Sequence, residues 1–286
     1  STEDESDYAS NTNTFDQSSI TDETQQRKLL QIDYVYPIDK NTQFELGYRG
    51  NFTDLNTDYN VLDIRNNETI RNLNLSNIFV FSQDVNAYYT QFGKKINKFS
   101  YLLGLRAETT DLQFNQKTSQ ESNQKKYTDL FPTVNLSYEF SNSENITLGY
   151  SRRIRRPRSW SLNPFQSITS LTFFRQGNPD LDPSYSNSYD LGYLKRMKKI
   201  TFSGSVYFQK ETDVIQRITE ETGEIVRVSE NPIVDVPALR FTSINLSENI
   251  RTGTEFTLTY TPKRTVRVSG NFNLFNSETI GSYKGD

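Results

Sequence analysis

The 286-residue sequence has no cysteine and no histidine, and it has a single methionine and a single tryptophan. A disulfide framework, a Cys/His zinc site and a histidine-dependent catalytic triad are thereby excluded. Long apolar runs are missing as well. The longest is the stretch from Ile78 to Phe81, and mean hydropathy is −0.72. A transmembrane helix, which needs about 20 predominantly apolar residues, cannot be written in such a chain. Alanine is confined to Ala9, Ala87, Ala107 and Ala238, which disfavours long helices. The first residues carry no charged, then apolar, then small leader, so a signal peptide is expected to be absent or already removed. Neither sign of charge dominates. A net charge of −3 speaks against nucleic acid as a partner.

The chain is rich in what suits a pleated surface: 17 tyrosines, 19 phenylalanines and abundant Ser, Thr and Asn. Its hydrophobic share of 34% is low for a domain that must bury its own core. Periodicity accounts for the deficit. Between Thr42 and Thr53, Phe44, Leu46, Tyr48 and Phe52 fall on one parity and Gln43, Glu45, Arg49 and Asn51 on the other. A strand sends alternate side chains to opposite faces, so this segment has one apolar and one charged face. The same alternation sets Phe99, Tyr101, Leu103, Leu105 and Ala107 against Ser100, Gly104, Arg106 and Glu108. It recurs at Val134 to Phe140, Ile146 to Tyr150, Ile200 to Phe208, Thr254 to Tyr260 and Val266 to Leu274.

About ten strands are predicted, near residues 27–36, 42–53, 83–93, 98–111, 130–140, 145–156, 185–195, 199–211, 249–261 and 265–276. Short turns alternate with long polar connections over roughly 54–82, 112–129, 157–184 and 212–248. Many of the strands have the roughly 10 residues that a tilted strand needs to cross a bilayer. A soluble sandwich would turn the apolar parity inward. A transmembrane barrel turns it to lipid, lines its lumen with polar groups, and places short turns at one end and long loops at the other. Loop asymmetry, the charges at Glu45, Arg49, Glu108, Glu139, Asp190, Glu255 and Arg267, and aromatics near strand ends favour the membrane barrel. A soluble β protein with polar outer faces remains the alternative on pattern alone.

Two stretches are more specific: Leu148-Gly149-Tyr150-Ser151-Arg152-Arg153-Ile154-Arg155-Arg156-Pro157, continued through Leu162-Asn163-Pro164-Phe165, and Gly177-Asn178-Pro179-Asp180-Leu181-Asp182-Pro183, ending in Tyr189-Asp190-Leu191-Gly192-Tyr193. They closely resemble the barrel of TonB-dependent outer-membrane receptors of the kind abundant in Bacteroidetes. Asp129-Leu130-Phe131-Pro132 and Gly104-Leu105-Arg106-Ala107-Glu108 are similar to that family too, and the resemblance spans most of residues 80–275. It implies a 22-stranded barrel around an N-terminal plug, energised through TonB. The expected fold is therefore all-β: a transmembrane antiparallel up-and-down β-barrel, with about ten strands present as part of a larger barrel. Residues 1–286 are read as one barrel segment without a plug domain, and residues 1–13 and 277–286 as pieces of outer loops.

Arg152, Arg153, Arg155, Arg156 and Arg158 are the densest cationic cluster. Arg152 lies nine residues beyond the turn at Ser143, about 23 Å up a strand tilted near 40°, close to the edge of a ~25 Å apolar band. Parity sends Arg152 and Arg156 outward at headgroup level and Arg153 and Arg155 toward the lumen. The outward pair could bind lipid phosphates and the inward pair a ligand or plug. Alternatively, all of them pair with loop carboxylates such as Asp180 and Asp182, or snorkel. Trp160, with Phe165, Phe173 and Phe174, could touch a ligand or form a packed loop core. Asn178, Asp180 and Asp182 look like the opening of a calcium loop, but a turn stiffened by Pro179 and Pro183 fits better. Glu45, Glu108 and Glu139 are expected to share a lumen face with Arg49 and Arg106 and to neutralise one another. The acidic start, Glu3 to Asp7, reads as a solvated loop or tail.

No catalytic motif, phosphate loop, metal site or cofactor site is expected, so an enzyme is not. The reading is a barrel-wall segment of an outer-membrane receptor that imports a large or scarce substrate. Its expected partners are outer-membrane lipid and lipopolysaccharide, the TonB complex through a plug outside this chain, and the imported solute. The alternatives are a barrel that anchors adhesive surface loops, and a passive channel.

Overall fold

The computed structural model describes residues 16–65, 68–170, 172–230, 232–281 and 283. The expectations for residues 1–13, including the acidic start, lie outside the described residues. Thirteen described strands form one sheet. They are β1 (Asp16–Asp39), β2 (Thr42–Arg65), β3 (Glu68–Arg71), β4 (Asn77–Ile96), β5 (Phe99–Gln116), β6 (Glu121–Ser141), β7 (Glu144–Arg155), β8 (Gln166–Ser170), β9 (Phe173–Gln176), β10 (Ser184–Arg196), β11 (Ile200–Glu230), β12 (Ile233–Lys263) and β13 (Val266–Ile280). One helical turn, α1 (Ser159–Leu162), interrupts the connection from β7 to β8.

The ten predicted strands are all present as β1, β2, β4, β5, β6, β7, β10, β11, β12 and β13. Each pairs antiparallel with its neighbour in chain order, the up-and-down topology of a barrel wall. Among the described residues β1 and β13 each pair on one edge only. The remaining three strands are short. β3 lies along β2, and β9 runs parallel to β12 with β8 beyond it. At one end the hairpins close tightly. Asn97, at a positive φ of 53°, turns β4 into β5, a conformation that asparagine tolerates better than most residues.

The register joins apolar parity to apolar parity. Leu46 lies across from Tyr34, Tyr48 from Tyr88, Phe92 from Leu103, Leu103 from Val134, Val134 from Tyr150, and Leu148 from Leu191. Leu46, Leu103, Leu148, Leu191, Val206 and Leu258 are all exposed. Ring pairs such as Tyr150 with Tyr189, at 4.9 Å, tie adjacent strands across this face. A continuous apolar band of this size would be a liability in water and is suited to acyl chains.

Two expectations are corrected. The connections read as long polar loops are largely strand: β11 and β12 run 31 residues each and pair well beyond the apolar band, as do β1 with β2 and β5 with β6. Polar side chains do not prevent pairing, because the ladder is made by backbone groups that the adjacent strand satisfies. Residues 277–280, read as outer loop, continue β13 for the same reason.

Above the band the hydrophobic parity changes face. Leu55, Phe79, Phe81, Leu112 and Phe114 are buried, and they share parity with Glu45, Gln91, Arg106 and Glu108 rather than with the lipid-facing set. They form the core of the structure together with Leu162 of α1, Leu181 and, from β11, Ile215. The segment between β7 and β10 is thus packed onto the inward face of the projecting strands. Full burial of a leucine contributes about 1.5–3 kcal/mol, so Leu162 and Leu181 hold that segment firmly.

The two faces differ in what they tolerate. Leu103→Arg should destabilise the protein in lipid vesicles by about 2–4 kcal/mol in urea unfolding, whereas Ser137→Arg, on the opposite face, should change it by less than about 1 kcal/mol. Equal losses would contradict the lipid-facing assignment of Leu103.

Candidate ligand-facing site

The arginine run lies where β7 leaves the sheet. Arg152 is across from Asn187 on the face of Tyr150, and its guanidinium lies over the Tyr185 ring at 5.1 Å. Its buried Nε has no hydrogen-bond partner among the described residues. Arg153 is exposed. Arg155 donates from Nε to Ser184 Oγ at 3.1 Å and pairs through Nη2 with Glu211 at 2.8 Å.

Arg156 departs from the expected outward direction. Its Nη2 donates to Glu108 Oε2 at 2.6 Å and to Thr110 Oγ1 at 2.9 Å, on the inward face of β5. β7 ends at Arg155 and Pro157 follows, so strand parity no longer fixes where residue 156 points. Glu108 also accepts from Arg106 Nε at 2.6 Å, so one carboxylate holds two guanidinia. Its side chain is only 9% exposed. The ring of Tyr127 lies 5.9 Å from the Arg156 guanidinium carbon. This cluster latches the start of the β7–β10 segment to the wall beside the Leu162 core.

Asp182 has a different partner from the one expected. Lys125 of β6 pairs with Asp182 at 3.0 Å and donates to the carbonyls of Asp180 and Leu181 at 2.8 and 2.9 Å. Asn178 Oδ1 accepts the Asp180 backbone N–H at 2.9 Å, and Asn178 Nδ2 donates to the Ser243 carbonyl at 3.1 Å. These bonds belong to a turn docked on β12.

Lower on the inward face, a concavity of about 670 Å³ is lined by residues including Glu45, Gln91, Lys95, Asn135, Thr147 and Asp190. Mutual neutralisation is narrower than expected. Glu108 meets Arg106, whereas Glu139 pairs with Lys95 at 2.7 Å and Glu45 accepts from Gln43 and Gln91 at 2.6 and 3.3 Å. Arg49 Nε is buried without a hydrogen-bond partner among the described residues. β4 supplies Lys95 at the position opposite Ser100, a partner invisible to a reading of β6 alone.

Trp160 is the second focus. The guanidinium carbons of Arg175 and Arg217 lie 4.0 and 5.0 Å from its ring centroid. The sequence reading missed both arginines: they come from β9 and β11, and no local pattern joins them to α1. Leu162 and Leu181 lie in the buried core and Phe174 is buried as well, whereas Trp160 is half-buried.

The whole sequence, residues 1–286, matches the model of the outer membrane protein beta-barrel family. No curated protein matches it. Among solved structures, the chain is similar to the copper transporter OprC, with 11% identity and a TM-score of 0.65 over 92% of this chain and 39% of that one. It is also similar to the ferric citrate transporter FecA in its unliganded form, with 11% identity and a TM-score of 0.59 over 94% and 38% of the two chains. The ferric yersiniabactin uptake receptor FyuA from Yersinia pestis gives 11% identity and a TM-score of 0.58 over 92% and 37%. At such identities the likeness is one of fold, and the chain spans about two fifths of the length of these structures.

Removing the carboxylate that holds Arg106 and Arg156 should free the β7–β10 segment. Glu108→Ala breaks a largely buried charge pair, a loss of about 3–5 kcal/mol, and should speed tryptic cleavage after Arg158 at least tenfold with the barrel intact. Unchanged cleavage would mean that the latch does not hold the segment.

Proposed function

The chain belongs to the outer membrane protein beta-barrel family and resides in the outer membrane, and from that membership we propose that it is part of the wall of an energy-coupled receptor that imports a scarce or bulky solute. The observation that carries this reading is the segment between β7 and β10. It is packed on the inward side of the projecting strands by Leu162 and Leu181 and latched by Arg156 to Glu108, on the same face as the polar concavity. A receptor needs structured loops that capture ligand above a polar lumen.

The pairing of β1 and β13 on one edge each among the described residues, and the length of the similar transporters, support a larger barrel completed by further strands and a plug. Coupling to TonB is supported by the resemblance of the Tyr150 to Phe165 and Gly177 to Tyr193 stretches to TonB-dependent receptors. The concave polar face would abut the plug, and the apolar band would contact outer-membrane lipid and lipopolysaccharide. In this mechanism the chain does no covalent chemistry. It supplies the lipid-facing scaffold, the hydrated wall and the rim that selects solute.

The test is a solute-uptake profile of cells with and without the full-length gene, repeated after the proton-motive force is collapsed. Loss of one solute class, in a manner that requires the proton-motive force, is the expected outcome. Uptake indifferent to that force, or steady conductance of the purified protein in a planar bilayer, would replace the receptor with a passive channel. A profile unchanged by deletion would favour a surface-loop anchor.

A further inference from the structure

We propose that Arg175 and Arg217, stacked with Trp160 at the mouth, form a recognition site for an oxyanion, a carboxylate or phosphate group carried by the solute. This assigns a chemical class to the solute and rests on the import reading for its cellular role, but the binding itself does not depend on that reading.

Arg217 is two residues from Ile215, which packs against the inward-facing core, so strand alternation puts Arg217 on the lumen side and away from lipid. Its side chain is exposed there, and Arg175 is half-buried. Both guanidinium carbons lie within 5.0 Å of one ring centroid, so the two like charges are no more than 9 Å apart. Burial, and then the Arg217 charge beside it, hold the Arg175 guanidinium below its ordinary value. Among the described residues neither arginine makes an ion pair. This sets them apart from Arg106, Arg155 and Arg156, each of which has a glutamate. Glu220, the nearest carboxylate along β11, receives Arg240 Nε at 2.9 Å and the Tyr283 hydroxyl. Arg240 in turn donates from Nη1 to Gln176 Oε1 at 3.1 Å, next to Arg175 in β9.

The aromatic face orients the two planar forks and partly offsets their charge. It does not satisfy their N–H donors. An oxyanion bound at these forks would accept charge-assisted hydrogen bonds from their unmet donors and offset the repulsion between the two cations. A neutral solute gains nothing comparable.

Trp160 is the single tryptophan of this sequence, so its emission is an internal reporter. The full-length protein in detergent is titrated with inorganic phosphate, with succinate and with glucose. Subtracting the spectrum of a Trp160→Phe protein isolates the Trp160 signal. The expected result is a saturable change with phosphate or succinate and none with glucose, with the dissociation constant at least tenfold weaker in Arg175→Gln and in Arg217→Gln. Which anion is preferred distinguishes a phosphate-bearing from a carboxylate-bearing solute. The exposed Arg217 position guards against a folding artefact, since its replacement removes no buried side chain. No saturable change with either anion, or an unchanged constant in both variants, would overturn the site. Uptake is a separate readout: binding lost only in the variants supports the site even where transport proves passive.

Discussion

The strands between β1 and β13 satisfy their backbone hydrogen bonds sideways, and that leaves their two faces free to meet different solvents. In a bilayer no water is available to an unpaired N–H or C=O, so a spanning segment must find these partners within the protein. Antiparallel pairing of the ten long strands meets the requirement at every edge between them while the side chains alternate. One face can then be as apolar as Leu46, Leu103, Leu148 and Leu191 make it, and the other as charged as Glu45, Arg106 and Glu108. The low hydrophobic content follows from the same constraint. A wall that buries one face in lipid needs no thick interior of its own.

Where lipid ends, the reason for an outward apolar face ends too, and the chain uses its apolar residues differently. In β2, β4 and β5 the buried positions pass to the opposite parity, and Leu55, Phe79, Phe81, Leu112 and Phe114 face inward. The β7–β10 segment then becomes the cover of that small core through Leu162 and Leu181. Arg156 does the electrostatic part of the same task. Two guanidinia on Glu108, with Thr110 as a further acceptor, fix the point at which the segment leaves the wall. Packing and charge together turn what would be a free loop into a structured rim.

The rim also sorts its cations. Arg106 and Arg156 pair with Glu108 and Arg155 with Glu211, and Lys125 is spent on Asp182 and the carbonyls around Leu181. Arg175 and Arg217 are held instead against Trp160, by a ring that carries no formal charge. Under the proposal made above, this pair, which makes no ion pair among the described residues, would be a first contact for an anionic solute.

Alternation made the ten long strands, their antiparallel order and the lipid-facing parity legible from the sequence alone, because a period of two needs only neighbouring residues to declare itself. The Arg-rich strand exit and the Gly177 to Tyr193 stretch likewise carried the family resemblance in contiguous residues. The continuation of β11 and β12 far past the membrane was not legible, since polar strands and polar loops have the same composition and differ only in whether another strand lies alongside. Nor was the direction of Arg156, because parity stops where β7 stops. The meetings of Arg156 with Glu108, of Lys95 with Glu139, and of Arg175 and Arg217 with Trp160 each join residues from separate strands and loops. Sequence periodicity governs which face a side chain takes; the lateral register and the folding-in of the β7–β10 segment alone decide which side chains meet on that face.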